Sequence, residues 1–329
     1  QFVYIAQLDT ADDLYKKENW IKANPILEYD EDALENLVPV ANTARDMGGE
    51  DLRDFLVKQL NMWMQWSNAL YIKDIKDWKR CAALRTLKDF RGSKCYVGVD
   101  LSSGGDLTSI AIVIPYMVDG VKKYFVHTHS FIPASRVDEH IKTDKVPYDV
   151  WISKGLVTVT ETLGGIKTDY KYIIKYLEDL IKQNDLKPQL VCYDPHNASA
   201  FLSDLEALGF DSVAITQTAK ELNDATVDFR LEIKAGNVVI EGTEVGKGKV
   251  VPFDELLTWS IANAKTISNS YGEIKIDKAL DEDRIDPIDA IIDAWKAAMK
   301  EEYKPDTNEV VNEWLEMYEK YMGKGGEKE

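Results

Sequence analysis

The hydrophobic pattern of the chain changes character near residue 94. Upstream of it, apolar positions recur at helical spacing in Asp30 to Ala44 and again in Asp51 to Gln65, where Leu52, Phe55, Leu56, Leu60, Trp63 and Met64 share one face. Phe2 to Leu8 alternates weakly and reads as a strand, Lys16 to Pro25 is an irregular stretch closed by the turn signal Asn24-Pro25, and a short helix is expected from Ile75 to Leu87. Downstream, short runs that are apolar in both phases take over, the mark of strands buried on both faces. Cys95 to Asp100 is the first, and Thr108 to Pro115 returns beside it. Asp119-Gly120 then turns the chain into a third strand, Lys122 to Phe131, so the three form an antiparallel meander. Ser135 to Lys154 reads as a polar insertion and Val157 to Thr160 as a short strand. A helix from Thr168 to Lys182 follows, then a buried strand, Gln189 to Tyr193, and a helix from Asn197 to Leu208. The remaining elements are a strand at Ser212 to Thr216, a helix at Asn223 to Lys234, a hairpin with a Gly-Lys-rich return, a helix at Phe253 to Ala264 and a strand at Glu273 to Asp277. Asp286 to Lys300 is the closing helix, with Pro287 in its tolerant first turn.

The order βββ, α, β, α, β, with a closing helix, describes an α/β ribonuclease H-like layout: a mixed sheet flanked by helices, preceded by a helical adaptor. Its first strand pairs with both the hairpin and the fourth strand. The ends of strands one and four are then neighbours, so Asp100 and Asp194 face each other across 94 residues of sequence. Asp286 and Asp289, three apart on one helix face, arrive over them. Carboxylates gathered at strand ends are costly to bury unless a cation meets them, and hard divalent cations take oxygen ligands. The organisation expected is an adaptor over residues 1–93, a catalytic domain over 94–303, and an amphipathic helix with a disordered tail over 304–329. The tail helix rests on the stripe Val311, Leu315, Tyr318 and Met322.

Composition adjusts this picture at three points. A net charge of -17, from 40 Lys and Arg against 57 Asp and Glu, argues at first sight against a nucleic-acid partner, because phosphate binding is driven by basic residues. Charge acts locally, however, and the basic residues able to meet a backbone are Lys122 and Lys123 on the meander, Lys247 and Lys249 on the hairpin, and Lys275, Lys278 and Arg284 before the closing helix. The three cysteines, Cys81, Cys95 and Cys192, form no CxxC pair and read as reduced core thiols of a cytosolic, unsecreted protein; no apolar run is long enough to span a membrane. The chain opens without an initiator Met, which suggests a fragment of something longer. His127 and His129 share a strand face without a third metal ligand in reach, and His196 stands two residues beyond Asp194.

Three segments, YVGVDLSSGGDLTSIAIV, CYDPHNASAF and RIDPIDAIIDA, resemble in order and spacing the nuclease domain of the large terminase subunit of tailed bacteriophages. VYIAQLDTADDLYKKENWIKANP resembles the segment that joins that protein's packaging ATPase to its nuclease, and the likeness extends over roughly residues 1 to 300. The resemblance implies two divalent ions, Mg²⁺ or Mn²⁺, held by Asp100, Asp194 and Asp286 or Asp289, with Asp106 as an accessory acidic position. It further implies cleavage of double-stranded DNA with little sequence preference during genome packaging in the host cytoplasm, alongside an ATPase domain, a portal and a small terminase subunit. No GxxxxGK[ST] occurs in the chain, and GTEVGKGK fails that spacing, so no P-loop ATPase activity is expected. Two rival readings remain. An actin-like or sugar-kinase-like ATPase needs a second Gly-rich phosphate loop, where this chain has Pro195-His196-Asn197. A catalytically silent docking module of the packaging motor would bind no metal through these carboxylates.

Overall fold

The computed structural model describes residues 2–302, except 3, 10, 11, 48–51, 53, 63–68, 103–106, 145, 162–164, 166, 167, 197 and 279–283. The chain divides into two compact units, Gln1–Asn68 and Ala69–Glu329.

The first unit is built on Trp20, Phe55 and Leu60, all essentially without solvent exposure. Trp20 closes the short helix α1 (Lys17–Trp20), donates its indole N–H to the Leu14 carbonyl at 2.8 Å, and meets Phe55 edge to face at 5.6 Å. Helix α2 (Glu31–Met47) follows much as its apolar spacing requires. The weak alternation at the N-terminus does not become a strand: the described residues among 2–9 form none, and Leu8 makes a lone backbone bond to Leu60 at 3.4 Å. Without a partner strand, alternation has nothing to pair with. In the second expected helix, Leu52 and Asp54 are helical as expected and lead into a π-helical turn, Phe55–Gln59, that buries Phe55 and Leu56.

The second unit begins at Ala69, not after Ser93 as the sequence suggested. Residues 69–93 are part of its core. Tyr71 and Trp78, the latter on α3 (Ile75–Lys79), are fully buried; Tyr71 donates to the Thr226 carbonyl at 2.6 Å and Trp78 to Thr258 Oγ1 at 3.2 Å. Where a longer helix was expected, the chain breaks into strand β1 (Ala82–Ala83), which joins the main sheet.

That sheet has nine strands among the described residues. Besides β1 they are β2 (Lys94–Asp100), β3 (Thr108–Val118), β4 (Val121–Pro133), β5 (Val157–Thr160), β6 (Lys187–Tyr193), β7 (Ser212–Ala214), β8 (Val238–Glu244) and β9 (Val250–Pro252). The main path runs β1-β8-β4-β3-β2-β6-β7, with β5 beside β4 and β9 beside β8. β2 is antiparallel to β3 and parallel to β6, the pairing that the layout demands. Strand alternation sorts the core onto two faces. Cys95, Val97 and Val99 point towards α6 (Tyr170–Asn184) and α7 (Ser199–Ala207). Tyr96 points the other way, into the core shared with α8 (Ala219–Ala235), α9 (Glu255–Asn263) and α10 (Asp286–Ala298). By the same period of two, Gly98 and Asp100 share the Tyr96 face. A small second sheet pairs β10 (Ala264–Ser268) with β11 (Ile274–Lys278).

The polar insertion consists of a 3-10 turn, Ala134–Arg136, followed by helices α4 (Val137–Thr143) and α5 (Tyr148–Ser153). The C-terminal segment from residue 303, with its expected amphipathic helix, lies outside the described residues.

Candidate functional site

β2 delivers Asp100 to the edge of the sheet, and α10 lies directly across that strand. The two backbones approach so closely that a Cβ at Gly98 would stand 1.8 Å from the Ala290 carbonyl oxygen and 2.8 Å from the Ala294 nitrogen. No side chain other than hydrogen fits there. α10 is apolar around most of its circumference, with Ile288, Ile291, Ile292 and Trp295 buried, and carries Asp286, Asp289 and Asp293 at i, i+3 and i+7 along one stripe. β6, parallel to β2, ends at Tyr193, so Asp194 emerges at the same sheet edge as Asp100. Its Oδ1 accepts from the His196 backbone N–H at 3.0 Å, an Asx turn that gives His196 a local role beside an exposed side chain.

The electrostatics show that these carboxylates form a cluster. Asp100 is pushed well above the usual carboxylate range, first by burial and then by the charges of Asp286, Asp289, Asp293 and Asp194. Asp289 is raised in the same way by burial and by Asp293 and Asp286, with Lys275 opposing. Asp293, only 1% exposed, is pushed up to about 8, mainly by burial, against a lowering hydrogen bond from Gln217. Gln217 Nε2 reaches both Asp293 oxygens, at 3.0 and 3.3 Å, and its own carbonyl accepts from Lys275 Nζ at 3.3 Å. Asp100, Asp286 and Asp289 each keep part of their surface open while Asp293 forms the floor. Among the described residues no three His, Cys, Asp or Glu side chains are drawn together tightly enough to make a ligand cage by themselves. The carboxylates feel one another's charge without converging on a point.

Asp293 is a site residue that the sequence reasoning does not single out, although it lies within the motif that carries the resemblance. The signal available is a third acidic residue, one turn beyond Asp289, on a helix otherwise built for burial. Asp106 lies outside the described residues.

The basic candidates separate by sheet edge. β8 runs parallel to β4, and β4 parallel to β2 through the antiparallel β3, so the β8–β9 hairpin projects from the edge that bears Asp100. Lys247 and Lys249 are exposed at its tip, and Lys247 adopts a positive φ of 55° in the turn. Lys275 stands beside Asp289, and Lys278 is exposed at the end of β11. Three of the expected DNA contacts are placed otherwise. Lys122 and Lys123 begin β4 and so lie at the opposite edge; Lys122 donates to the Met299 and Glu301 carbonyls at 3.2 and 2.6 Å. Arg284 is turned inward onto Asp144, its side chain 11% exposed. His129 is buried and His127 half-buried against Tyr176, and desolvation pushes them down to about 3 and about 4, which makes them neutral packing residues. The three cysteines are free, buried thiols, each pushed up to about 12 by burial.

The model of the family described as terminase large subunit, endonuclease domain, matches residues 1–302. The chain belongs to this terminase endonuclease family. It is 27% identical over 286 residues to the terminase large subunit of Enterobacteria phage HK97, covering 86% of this chain and 51% of that protein. It is 22% identical over 216 residues to the terminase large subunit of Lactococcus phage p2, covering 66% and 37% respectively. The crystal structure of the HK97 large terminase superposes with a TM-score of 0.58 at 25% identity, over 89% of this chain and 56% of that one. The chain thus spans about half or less of the length of these relatives. The fold is the ribonuclease H-like fold of terminase nucleases, as its strand order indicates. No helix among the described residues is long and apolar enough to cross a membrane.

Proposed function

We propose that the chain is a metal-dependent endonuclease that hydrolyses phosphodiester bonds of double-stranded DNA, with little sequence preference, during viral genome packaging. The observation that carries this reading is the gathering of Asp100, Asp194, Asp286, Asp289 and Asp293 at one end of the sheet, where burial first and then neighbouring carboxylate charge push Asp100, Asp289 and Asp293 above the usual carboxylate range. The donor set is all oxygen and strongly anionic, which fits Mg²⁺ or Mn²⁺ and not a soft metal. Asp100 feels the charges of both the α10 carboxylates and Asp194, so it would be the shared ligand, with Asp194 holding one ion and Asp286 or Asp289 the other. Asp293, deeper and held by Gln217, sets the floor. Two divalent ions held by these carboxylates would supply an activated water and charge neutralisation at the leaving oxygen. Lys275, bonded to the Gln217 backbone carbonyl and near enough for its charge to reach Asp289, would offset charge on a scissile phosphate. Lys247 and Lys249 supply backbone contacts from the hairpin, and such contacts position the duplex without reading it. The double-stranded DNA substrate, host-cytoplasmic site, ATPase domain, portal and small terminase subunit belong to this same proposal.

The test uses the purified chain. Mn²⁺ is expected to raise its melting temperature and to support nicking and linearisation of supercoiled plasmid, and EDTA to abolish both. Asp100→Ala and Asp194→Ala should each remove nearly all cleavage, because ligands of one site act as a unit. Robust cutting by Asp100→Ala would sink the assignment, and wild-type protein that neither binds Mn²⁺ nor cuts would leave a docking module.

A further inference from the structure

α10 starts without the usual anchor. Its N-cap residue, Ile285, offers no side-chain cap, although the helix must hold Asp286 in place from its first turn. The anchor is one residue earlier. Arg284 Nε and Nη2 donate to the two oxygens of Asp144 at 3.1 and 3.2 Å, a two-pronged bond that fixes the plane of the guanidinium as well as its distance. Asp144 has no exposed side-chain surface and is itself immobilised. It accepts from His140 Nδ1 at 3.0 Å, Tyr148 Oη at 2.9 Å and Thr143 Oγ1 at 2.7 Å, all groups of the α4–α5 insertion. Burial alone would raise the Asp144 carboxyl, but these bonds outweigh it and hold the group well below the usual carboxylate range, so it stays charged. The Tyr148 hydroxyl also feels the charge of Asp286, so the network reaches the cluster.

We propose that Asp144 and Arg284 are positioning residues that fix the start of α10, and with it Asp286, for metal binding. This rests on the nuclease reading above. The α4–α5 insertion thereby supplies the fixed end of a strut whose other end is two residues from a ligand. Groups that orient metal ligands are typically worth about 10- to 100-fold in metal affinity or activity.

Arg284→Lys keeps the charge but cannot span both carboxylate oxygens, and Asp144→Asn keeps the shape but not the charge. Mn²⁺ binding to each variant, without DNA, is measured by the electron paramagnetic resonance of the free ion, next to melting temperature and plasmid cleavage. For a variant that still melts cooperatively, the expected result is Mn²⁺ binding weakened about 10-fold or more. Cleavage should recover as Mn²⁺ is raised, with unchanged KM for DNA and unchanged salt dependence at saturating metal. Normal Mn²⁺ affinity with a raised KM and a salt slope reduced by about 0.9 would make Arg284 a phosphate contact and overturn the proposal. Unchanged Mn²⁺ affinity in both variants, or loss of cooperative melting in both, would also overturn it, the latter leaving a purely structural pair. Failure of the wild-type protein to bind Mn²⁺ at all would instead refute the nuclease reading.

Discussion

Asp293 carries a heavy electrostatic load. Its carboxyl titrates near 8 in the folded chain and near 3.8 when unfolded, so between those values the folded state binds the extra proton. Stability therefore falls as pH rises through this window, by at most about 1.4 kcal/mol per pH unit. His127 and His129 act in the opposite sense: their folded values lie below the ordinary 6.5, and their contribution is lost as pH falls below it. A difference measurement isolates the aspartate. The melting temperature of metal-free Asp293→Asn, relative to wild type, should rise steadily from pH 5 to pH 8 and flatten when Mn²⁺ is present. A pH-independent difference would show that Asp293 is ionised throughout. At this scale the sequence is readable in part. Asp100, Asp194, Asp286 and Asp289 can be named because motif and topology together bring them to one edge. Asp293 escapes notice because a lone acid in an apolar helix resembles a surface position until the partner of that helix face is known. Arg284 and Lys122 are misplaced for a related reason: proximity in sequence to a motif says nothing about which way a long side chain turns.

At the scale of elements, the site depends on the seating of α10 on β2. Gly98→Ala puts a methyl group into the Ala290 carbonyl, and a backbone atom cannot rotate away. The helix has to lift, at a cost of about 1–3 kcal/mol. A displacement of about 1 Å at reacting groups can cost on the order of 10²-fold in rate. Gly98→Ala is thus expected to melt a few degrees lower, at about 2–4 °C per kcal/mol, yet to lose most of its cleavage under conditions where it is fully folded. Activity falling only in proportion to the unfolded fraction would contradict this. The hairpin is the second decisive element. Lys247→Ala combined with Lys249→Ala should leave Mn²⁺ binding intact and lower the salt slope of DNA binding by about 0.9 for each phosphate no longer neutralised; an unchanged slope would remove the hairpin from the interface. The Asp-Gly turn, the buried runs and the Gly-Lys return are all legible as local chemistry. β1 and β10 are not, because each is short and exists only through its partner, β8 in one case and β11 in the other.

For the whole molecule, the unit that should fold by itself is residues 69–302. The sequence places the boundary at Arg91-Gly92-Ser93, where the local composition turns to glycine and charge, but the long-range burial of Tyr71 and Trp78 overrides that signal. A protein cut at residue 69 is expected to unfold cooperatively and to keep metal-dependent cleavage. One cut at 94 loses two fully buried aromatic side chains, each worth about 3–5 kcal/mol when truncated in a core, together with strand β1. Equal melting temperatures for the two would show that residues 69–93 are dispensable.

The place of β2 in the sheet has a further consequence. It is hydrogen-bonded on both sides, by β3 and β6, and roofed by α10 at backbone contact. Stretches with that much pairing and burial open only when the whole domain does, so their amide protons exchange with solvent only through global unfolding. On the proposed nuclease reading, a cutting centre mounted on such a strand would not be switched off by local melting or reassembled on demand. Restraint on that blade would then have to come from outside the sheet, through whatever governs the arrival of the duplex at that edge and the supply of the cation.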